Sequence, residues 1–568
     1  MKKFIALILC VMAVLCSCTA ADPTGTATPP QNNNGTQDQS SSAPKVPDIY
    51  LFKDGECTTD IIVNTKVQWQ EEKAANEFMS ALAKKVKGTR LSLKFDVMNK
   101  TPGKTEIIIG NTSRELSKEL YSKLDMFQVG VIIKDGCIAI GAGIEENLPI
   151  ACNWFRKNYM TSVKSGTLAV PGELEYIADA EMAIIDIPAF ETPTDEDPRV
   201  TDCGDGYYLM SYLHTEKADV DAYAQKLTSQ GYTLHSSNTI GNNSFAKYIK
   251  DNVEIHITHH SDWGQTKIVF GEYTSLLPQE PQVVDTTKTN DVYMLETKNF
   301  GLSMVIQLKD GSFIIIDGAQ TSESANLVKF LQSLTPEGQK PHVAAWIMTH
   351  AHPDHSYALY GLSSIGKTSA ITVDRFIFNF PSDSIYEQFE PDCIGQTKNV
   401  RNTIKGFYES SEVIKPHTGD TMYLGDIKVE FLCSQEDVIP NNFNDFNDSS
   451  LLMKFYIDGQ ILLVSGDMSV GEFNYCNDAY DESVLKCDIF QLPHHGYNVD
   501  MTFFNMLKPK ISLLPENTED GCNSRVNNSV NKILIDSSSA WYGSYKTVKI
   551  QMPFTSDDPG EFTWEAQF

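Results

Sequence analysis

Three of the twelve histidines in the chain fall within six residues, in the heptapeptide THAHPDH. His350 and His352 are two positions apart where a predicted strand ends, so their imidazoles can point to the same side. Pro353 favours an extended backbone at His352. Asp354 then stands at a predicted helix cap, with His355 just inside the helix. The spacing therefore predicts that all four polar side chains face one cavity.

Imidazole nitrogens mixed with a carboxylate oxygen are ligands that suit zinc or a similar divalent ion. Four such groups suit two ions better than one. Two divalent ions lower the pKa of a shared water from 15.7 to about 7, which makes it a nucleophile at neutral pH. The motif therefore predicts a hydrolytic centre with two divalent metal ions. Zinc is the preferred metal, and manganese is the alternative.

Other polar residues stand at the ends of predicted strands. The segments SMVIQLKDGSFIIIDGA and SSLLMKFYIDGQILLVSGD each read as a hairpin with an Asp-Gly turn, and their second strands end at Asp317 and Asp467. The buried strand of CDIFQLPHHGYN ends at His494 and His495. These elements would have to bring their ends to the THAHPDH loop for one site to form.

The heptapeptide resembles the HxHxDH signature of the metallo-β-lactamase superfamily. The resemblance implies a four-layer αββα sandwich for residues 283–568, with the site between its two sheets. It also implies that Asp467 bridges both metals and that a histidine of the HHG turn is the last ligand. We assign His495 as that ligand and His494 as a transition-state stabiliser or proton donor, and the reverse assignment stays open. Asp354 is assigned to catalysis as well as to the metal.

The chain departs from the superfamily in one loop. Many members carry a further histidine in a GHTPG-like loop before the bridging aspartate, where this chain reads NDFNDSS. Asp448 or Asn447 could supply an oxygen ligand there, and Asp448 is preferred, whereas His417 lies too far back in the pattern. Asp317 is interpreted as a hydrogen-bond acceptor that orients the ligand loop.

A subgroup of the superfamily matches more of the sequence. DSSLLMKF…LLVSGD, LPHHG and LKPKISLL are similar to segments of the hydrolase domain of ComEC-type DNA-uptake proteins and their exported relatives, and the same outline occurs in choline-phosphate esterases. This resemblance implies hydrolysis of phosphodiesters in nucleic acid, wall polymer or lipid head groups.

Alternative functions stay open. One is a hydrolase of the same fold that acts on a lactam, thioester or lactone, although the missing GHTPG-type loop counts against it. Another is a catalytically inactive surface-binding lipoprotein, which the intact motifs disfavour. An oxidoreductase of the flavodiiron kind is disfavoured, because its motif needs a carboxylate where His352 stands.

The first eighteen residues have the charge and apolar run of a signal peptide, and Leu15-Cys16-Ser17-Cys18 resembles a bacterial lipobox. We expect cleavage before Cys18, lipid attachment to its thiol, and a disordered tether over residues 19–47 that is rich in polar residues and proline. No other apolar run is long enough to span a bilayer. The sequence predicts an exported protein, lipid-anchored at the outer face of the bacterial cytoplasmic membrane or in the cell envelope.

Two smaller domains are predicted ahead of the hydrolase domain, so the fold class is α/β throughout. Residues 48–185 alternate strands and helices and resemble the small α/β domain found ahead of exported glycoside hydrolases. Residues 200–280 read as a small α+β domain. Its segment HITHHSDW is interpreted as exposed strand and turn histidines, because strand alternation keeps the three from converging on a metal.

The charge balance limits the partners. The chain has 46 basic and 74 acidic residues and a formal charge of −28, so stable binding of extended nucleic acid is not expected. A single phosphodiester held at a metal remains compatible, because the cations supply local positive charge. The expected partners are a small-molecule or polymer phosphodiester and, through the anchor, a membrane. The oligomeric state is left open, as are one or two disulfides.

Overall fold

The computed structural model describes residues 48–54, 56–66, 69–85, 91–125, 128–160, 166–179, 187–191, 199–439 and 442–566. The predicted signal peptide, Cys18 and the tether lie outside these residues. Within the described part, no helix is both long and apolar enough to cross a membrane. Helices and strands occur together along the whole described chain, which confirms the predicted mixed α/β class.

Residues 49–179 form a six-stranded sheet, a three-stranded sheet and three helices. The elements are β1 (Ile49–Lys53), β2 (Glu56–Cys57), β3 (Thr59–Val63), α1 (Trp69–Ala83), β4 (Leu93–Phe95), β5 (Thr105–Ile109), α2 (Glu115–Tyr121), β6 (Gln128–Lys134), β7 (Cys137–Ala142), α3 (Leu148–Tyr159), β8 (Leu168–Val170) and β9 (Leu174–Asp179). The larger sheet has the order β4-β3-β5-β7-β6-β9. Helices α1 and α3 cover one face and α2 the other, so β5 is buried along its whole length.

Residues 199–272 form an antiparallel sheet with one helix. The elements are β10 (Arg199–Asp202), β11 (Tyr208–Leu213), α4 (Lys217–Ser229), β12 (Thr233–Ile240), β13 (Asn243–Lys250), β14 (Val253–His260) and β15 (Gln265–Glu272). The strand order is β10-β11-β15-β14-β13-β12. Helix α4 packs its apolar residues on one face of this sheet.

The three histidines of β14 are buried, so the prediction of exposed histidines is wrong. His256, His259 and His260 are each at most 2% exposed. His256 and His260 share the face that packs against residues beyond position 283, where His256 Nε2 lies 2.8 Å from the carbonyl oxygen of Thr418 and the ring of His260 packs against Tyr475. Strand alternation fixes the face of each histidine but cannot show that a distant segment covers that face.

Residues 290–564 contribute the remaining elements. The strands are β16 (Asn290–Met294), β17 (Ser303–Gln307), β18 (Phe313–Asp317), β19 (His342–Ile347), β20 (Thr372–Val373), β21 (Arg375–Ile377), β22 (Glu412–Ile414), β23 (Thr421–Leu424), β24 (Ile427–Cys433), β25 (Leu452–Ile457), β26 (Gln460–Val464), β27 (Ile489–Gln491), β28 (Ile511–Leu514), β29 (Ala540–Gly543), β30 (Thr547–Met552) and β31 (Glu561–Trp564). The helices are α5 (Ser324–Leu334), α6 (Pro353–Ser364), α7 (Asp383–Phe389), α8 (Ile394–Phe407), α9 (Val470–Ala479), α10 (Glu482–Leu485), α11 (Met501–Leu507), α12 (Glu519–Val526) and α13 (Asn531–Ser537).

These strands make two sheets that face each other. One has the order β22-β21-β19-β18-β17-β16-β30-β31 with β20 beside β19, and the other runs from β23 to β29 in chain order. Apolar residues of both sheets share one core, including Ile314 and Ile316 from the first and Phe455 and Val464 from the second. Helices α5, α6 and α8 cover the outer face of the first sheet, and α9 and α11 cover that of the second. The layers are therefore helix, sheet, sheet, helix.

The Asp-Gly pairs lie in turns between strands. Asp458 and Gly459, with φ of 48° and 83°, connect β25 to β26 directly. Such left-handed pairs are typical of two-residue hairpins. The pair at Asp310 lies instead in the longer loop 308–312. All nine cysteines in the described residues are free thiols, so no disulfide joins this part of the chain.

Candidate metal centre

The candidate site lies at the carboxyl ends of two pairs of parallel strands. β18 and β19 are parallel neighbours in the first sheet, and β26 and β27 are parallel neighbours in the second. Asp317 ends β18, the THAHPDH loop follows β19, Asp467 follows β26, and the HHG turn follows β27. Because the carboxyl ends of parallel strands share one edge, both sheets deliver polar residues to the same place.

Asp317 holds the THAHPDH loop in position. Its Oδ1 accepts a hydrogen bond from the backbone amide of Thr349 (2.7 Å), and its Oδ2 accepts one from the Thr349 hydroxyl (2.8 Å). Nδ1 of His355 lies 2.7 Å from the same Oδ2. A carboxylate that bonds one ring nitrogen directs the other nitrogen towards a ligand. Asp317 therefore sets the orientation of the His355 imidazole.

A glycine lets the two sheets approach at this edge. Gly466 has a φ of 55°, and a Cβ atom added to it would lie 2.7 Å from Cβ of Thr349. Any side chain here would push the end of β26 away from the THAHPDH loop. Asp467 is therefore positioned by the glycine that precedes it.

Four residues form the inner cluster: Asp354, His355, Asp467 and His495. Each offers one ligand atom, and these atoms lie within 4.8 Å of one another. Asp467 Oδ2 is 3.1 Å from Nε2 of His355 and 3.4 Å from Nε2 of His495. Asp354 Oδ2 is 3.3 Å from the same nitrogen of His495. Residues more than a hundred positions apart in the sequence thus converge.

The inner cluster contains polar atoms without a hydrogen-bond partner. Within the part of the chain that the structure describes, Nε2 of His355, Nε2 of His495 and Oδ1 of Asp467 are buried and make no hydrogen bond of good geometry, although both nitrogens lie within 3.4 Å of a carboxylate oxygen. Buried polar atoms are normally paired, and an ion is one of the recognised explanations for an exception. Two imidazole nitrogens and two carboxylates form a donor set that fits a divalent cation such as zinc or manganese.

The electrostatics of the inner cluster favour positive charge. Burial lowers the pKa of His495, but the carboxylates of Asp467 and Asp354 outweigh it and raise this pKa to about 9. Burial also opposes charge on His355, yet Asp467 and Asp317 hold its pKa well above the usual range. The carboxylate field that holds protons on these rings would equally attract a metal cation.

The two histidines of the HHG turn have different surroundings. His495 is fully buried, its Nδ1 lies 2.6 Å from the carbonyl oxygen of Pro515, and its Nε2 belongs to the inner cluster. His494 is half-buried, and its Nδ1 has no hydrogen-bond partner among the described residues. Both have left-handed backbones, with φ of 47° and 54°. The turn therefore directs His495 to the inner cluster and leaves His494 beside it.

The structure divides the four residues of THAHPDH instead of aiming all of them at one point. Asp354 and His355 belong to the inner cluster, whereas Nε2 of His352 lies 3.1 Å from Oε2 of Glu390. His350 contacts both sides, with its ring centroid 4.2 Å from that of His355 and its Nε2 3.1 Å from Nδ1 of His352. Only Asp354 and His355 of the four therefore enter the inner cluster, while one ring nitrogen of His350 and one of His352 approach each other beside it.

His352, Glu390 and Cys393 form a second group, the outer cluster. All three are half-buried, and their ligand atoms also lie within 4.8 Å of one another. Burial lowers the pKa of His352, but hydrogen bonds with Cys393 and Glu390 outweigh it and raise this pKa to about 10. Sequence reasoning missed Glu390 and Cys393. Their segment, FEPDC, carries metal-binding residue types but no recognisable spacing.

The structure does not bring Asp448, the preferred oxygen ligand, into either cluster. Its Oδ1 accepts a hydrogen bond from the backbone amide of Gly471 (2.9 Å), and its Oδ2 accepts one from that of Asn444 (2.9 Å). Asn447, the alternative, is the residue that reaches the histidines, with Oδ1 3.0 Å from Nδ1 of His352. The Asp448 carboxylate thus stabilises its own loop, and the side-chain amide of Asn447 contacts His352 instead.

No family model and no curated protein matches the chain. Similar solved structures include CmlA, a diiron β-hydroxylase from Streptomyces venezuelae (TM-score 0.27, 10% identity, 48% of this chain and 55% of that chain). Others are zinc-bound PqqB from Methylobacterium extorquens (TM-score 0.24, 7% identity, 43% and 79%) and Tm1679, described as a metal-dependent hydrolase of the β-lactamase superfamily (TM-score 0.26, 9% identity, 45% and 95%). The match thus spans about half of the CmlA chain. All three TM-scores are below 0.5, so the function of this chain has to be inferred from its own residues.

Proposed function

We propose that the chain is a metal-dependent hydrolase of the metallo-β-lactamase type that cleaves phosphodiester bonds in nucleic acid, wall polymer or lipid head groups. The observation that carries the proposal is the inner cluster. Two ring nitrogens and two carboxylates meet in it, at the edge where both sheets end. Such a donor set serves hydrolytic metal sites.

Each residue of the site has a task in this reaction. Two divalent ions, when bound, supply a water of lowered pKa and polarise the oxygen of the bond under attack. Asp467, His355 and His495 would hold an ion together with Asp354, and Asp317 fixes the His355 ring. His494 is half-buried with a free Nδ1, so it is suited to give a proton to the leaving oxygen when the ester bond breaks.

Side chains near the HHG turn support an anionic substrate. The guanidinium of Arg525 lies 3.3 Å from the ring centre of Tyr497, a half-exposed residue that follows the turn. Phe300 packs against both Tyr497 and His495, at 5.8 Å and 3.8 Å between ring centres. An arginine stacked in this way is held rigidly and suits phosphate recognition. The similarity of LPHHG and its neighbouring segments to phosphodiesterase relatives favours the same substrate class.

A substrate panel tests the proposal. Metal-replete protein is assayed with bis-p-nitrophenyl phosphate, the lactam nitrocefin, a thioester and a lactone. We expect turnover of the phosphodiester that disappears in Asp467→Asn, while the exposed control Asp536→Asn keeps the wild-type rate. Turnover of nitrocefin, the thioester or the lactone without phosphodiester cleavage would replace the substrate class, and no turnover of any substrate would favour a surface-binding lipoprotein.

We also propose that Cys18 carries a lipid and anchors the exported chain. Labelling of cells with a radioactive fatty acid measures this directly. We expect label on the wild-type protein and none on Cys18→Ser. Equal labelling of both proteins would contradict the anchor and leave the hydrolase proposal untouched.

A further inference from the structure

We propose that the groove between the antiparallel sheet of residues 199–272 and helix α9 binds a neutral carbohydrate. This α9 groove has a volume of about 510 Å³, within the usual range of small-molecule sites. Strands β10, β11 and β15 and the turn after β14 line one side, and α9 with residues 437–439 lines the other. None of the described residues that line it belongs to the inner or the outer cluster. The inference therefore goes beyond the metal centre and does not depend on which bond the chain cleaves.

Trp263 supplies an aromatic surface to the α9 groove. It lies in the turn between β14 and β15 and is 38% exposed. Its ring packs on that of His260, with centres 4.3 Å apart, and meets the ring of Tyr475 edge-on at 5.8 Å. His260 and Tyr475 are buried, so they hold the indole in place, and the face opposite His260 is available to a ligand. A ring fixed in advance loses little entropy on binding, and the C–H groups of a sugar ring pack well on its π-face.

Polar side chains line the same groove. Asn474 and Asp478 are exposed and four positions apart on α9, so they lie on one face of the helix. Across the groove, the Gln265 amide donates a hydrogen bond to Oγ of Ser211 (3.0 Å), which orients that amide. Amides donate and accept hydrogen bonds, and a carboxylate accepts them. Sugar hydroxyl groups do both, so these side chains match the edge of a sugar ring.

The charges in the groove disfavour an anionic ligand. Lys267 is the only cation among the described lining residues, and its Nζ lies 2.9 Å from Oδ1 of Asp437 and 3.2 Å from the carbonyl oxygen of Glu436. The ammonium group is therefore already paired, whereas the carboxylate of Asp478 is exposed. A phosphate or carboxylate group of a ligand would be repelled by this carboxylate. An uncharged ring that carries hydroxyl groups is the chemistry that fits an aromatic face and amides.

Helix α9 connects the groove with the proposed reaction. It starts at Val470, three residues after Asp467. Seven positions separate Asp467 from Asn474, so their Cα atoms are at most about 25 Å apart. A chain of a few sugar units extends over such a distance. Bound carbohydrate would therefore favour a wall polymer with neutral sugar units over nucleic acid or lipid head groups as the substrate. This last step rests on the proposed function, whereas sugar binding itself does not.

Calorimetry with neutral tetrasaccharides tests the inference. The purified full-length protein is titrated with tetrasaccharides of glucose, galactose, mannose or N-acetylglucosamine. We expect at least one of them to bind, with affinity at least about 10-fold weaker in Trp263→Ala because an aromatic anchor is lost. Trp263→Phe should recover part of the affinity. Tyr50→Ala, which removes an aromatic side chain of similar exposure (41%) on β1, should bind as the wild type does.

A second variant leaves the packing of Trp263 intact. Asn474→Ala removes an exposed side chain of α9, and we expect affinity for the tetrasaccharide to fall by about 2- to 10-fold through the loss of a hydrogen bond, with unchanged zinc content. No binding of any tetrasaccharide, or binding that is unchanged in Trp263→Ala or in Asn474→Ala, would overturn the inference. Tighter binding of polyphosphate at this groove would overturn it as well. Sugar binding by a chain that lacks phosphodiesterase activity would contradict the proposed function alone.

Discussion

Nδ1 of His355 lies 2.7 Å from Oδ2 of Asp317, while Nε2 of the same ring lies 3.1 Å from Oδ2 of Asp467. One imidazole thus connects a carboxylate of the first sheet with a carboxylate of the second. Asp317 has no free role in binding the ion, because its oxygens are occupied by Thr349 and His355. Any effect of Asp317 on a bound metal would therefore pass through the orientation of His355.

Asp317→Asn is therefore expected to weaken zinc binding by about 10- to 100-fold, the usual effect of losing a group that orients a metal ligand. Equilibrium dialysis of the purified variant measures the affinity. Asp374→Asn is a matched control, because Asp374 contacts a histidine at the surface, His342. Unchanged zinc affinity in Asp317→Asn would contradict the role given to this residue.

A substitution at Gly466 tests the close approach of the sheets. Gly466→Ala combines a φ of 55° with a Cβ 2.7 Å from Thr349, so we expect a loss of unfolding free energy of about 2–4 kcal/mol together with reduced metal content. Gly459→Ala has a φ of 83° but nothing within 4 Å of the added Cβ, so it should lose only about 1–2 kcal/mol. Urea unfolding of both variants measures the difference, and equal losses would contradict the steric argument.

Substitution of Asp448 is expected to lower stability, whereas substitution of Asn447 is expected to lower zinc affinity. Asp448→Ala leaves the amides of Gly471 and Asn444 without their acceptor, which should cost about 1–3 kcal/mol of unfolding free energy. Asn447→Ala should unfold near the wild-type denaturant concentration but bind zinc about 10-fold more weakly, because the His352 ring loses its support. The reverse pattern would restore Asp448 as a ligand.

A buried ionic network predicts a pH dependence of stability. His417 lies with its ring nitrogens 3.1 Å from Glu436 and 3.2 Å from Glu254, and Lys247, His256, Tyr207 and Asp420 surround these groups. Burial lowers the pKa of His417, but the two glutamates outweigh it and raise this pKa to about 9. The pKa of His417 is thus higher in the folded than in the unfolded chain, so its protonation stabilises the fold. This contribution is complete below about pH 6.5 and decreases as the pH rises to about 9.

We expect the unfolding free energy of the wild type to fall by up to about 3 kcal/mol between pH 6.5 and 9 because of His417. His417→Gln should show a flatter profile over the same range. His256, whose pKa burial lowers to about 4, titrates below this window. His495, whose pKa is raised to about 9 by Asp467 and Asp354, titrates within it in both proteins, so the difference between the two profiles isolates His417. Denaturant unfolding at several pH values measures both profiles, and parallel curves would contradict the assignment.

Local sequence patterns predict the parts of the site that depend on strand ends. Asp467 and His495 each follow a buried strand, and parallel strands bring their ends together whatever the intervening residues are. THAHPDH predicts the position of its own loop but not the direction of each ring. His352 turns to Glu390 because α7 and the Phe446 segment lie on that side, and no spacing rule connects positions that far apart.

The buried histidines of β14 illustrate the same limit. A strand of alternating residues has two faces, and its sequence does not state what covers the second. His256 is buried because the loop around Thr418, over 160 positions away, packs on it. The sequence favours Asp448 over Asn447 because carboxylates bind metals better than amides. In the structure, however, the backbone amides of Gly471 and Asn444 donate hydrogen bonds to the Asp448 carboxylate.

The metal content of the purified full chain tests the central claim most directly. After loading with zinc and removal of excess by gel filtration, elemental analysis should find two ions per wild-type chain and at most one in Asp467→Asn, with the Asp536→Asn control unchanged. A wild-type chain that retains no zinc, or an Asp467→Asn chain that retains as much as the wild type, would contradict the claim that the inner cluster is a metal centre.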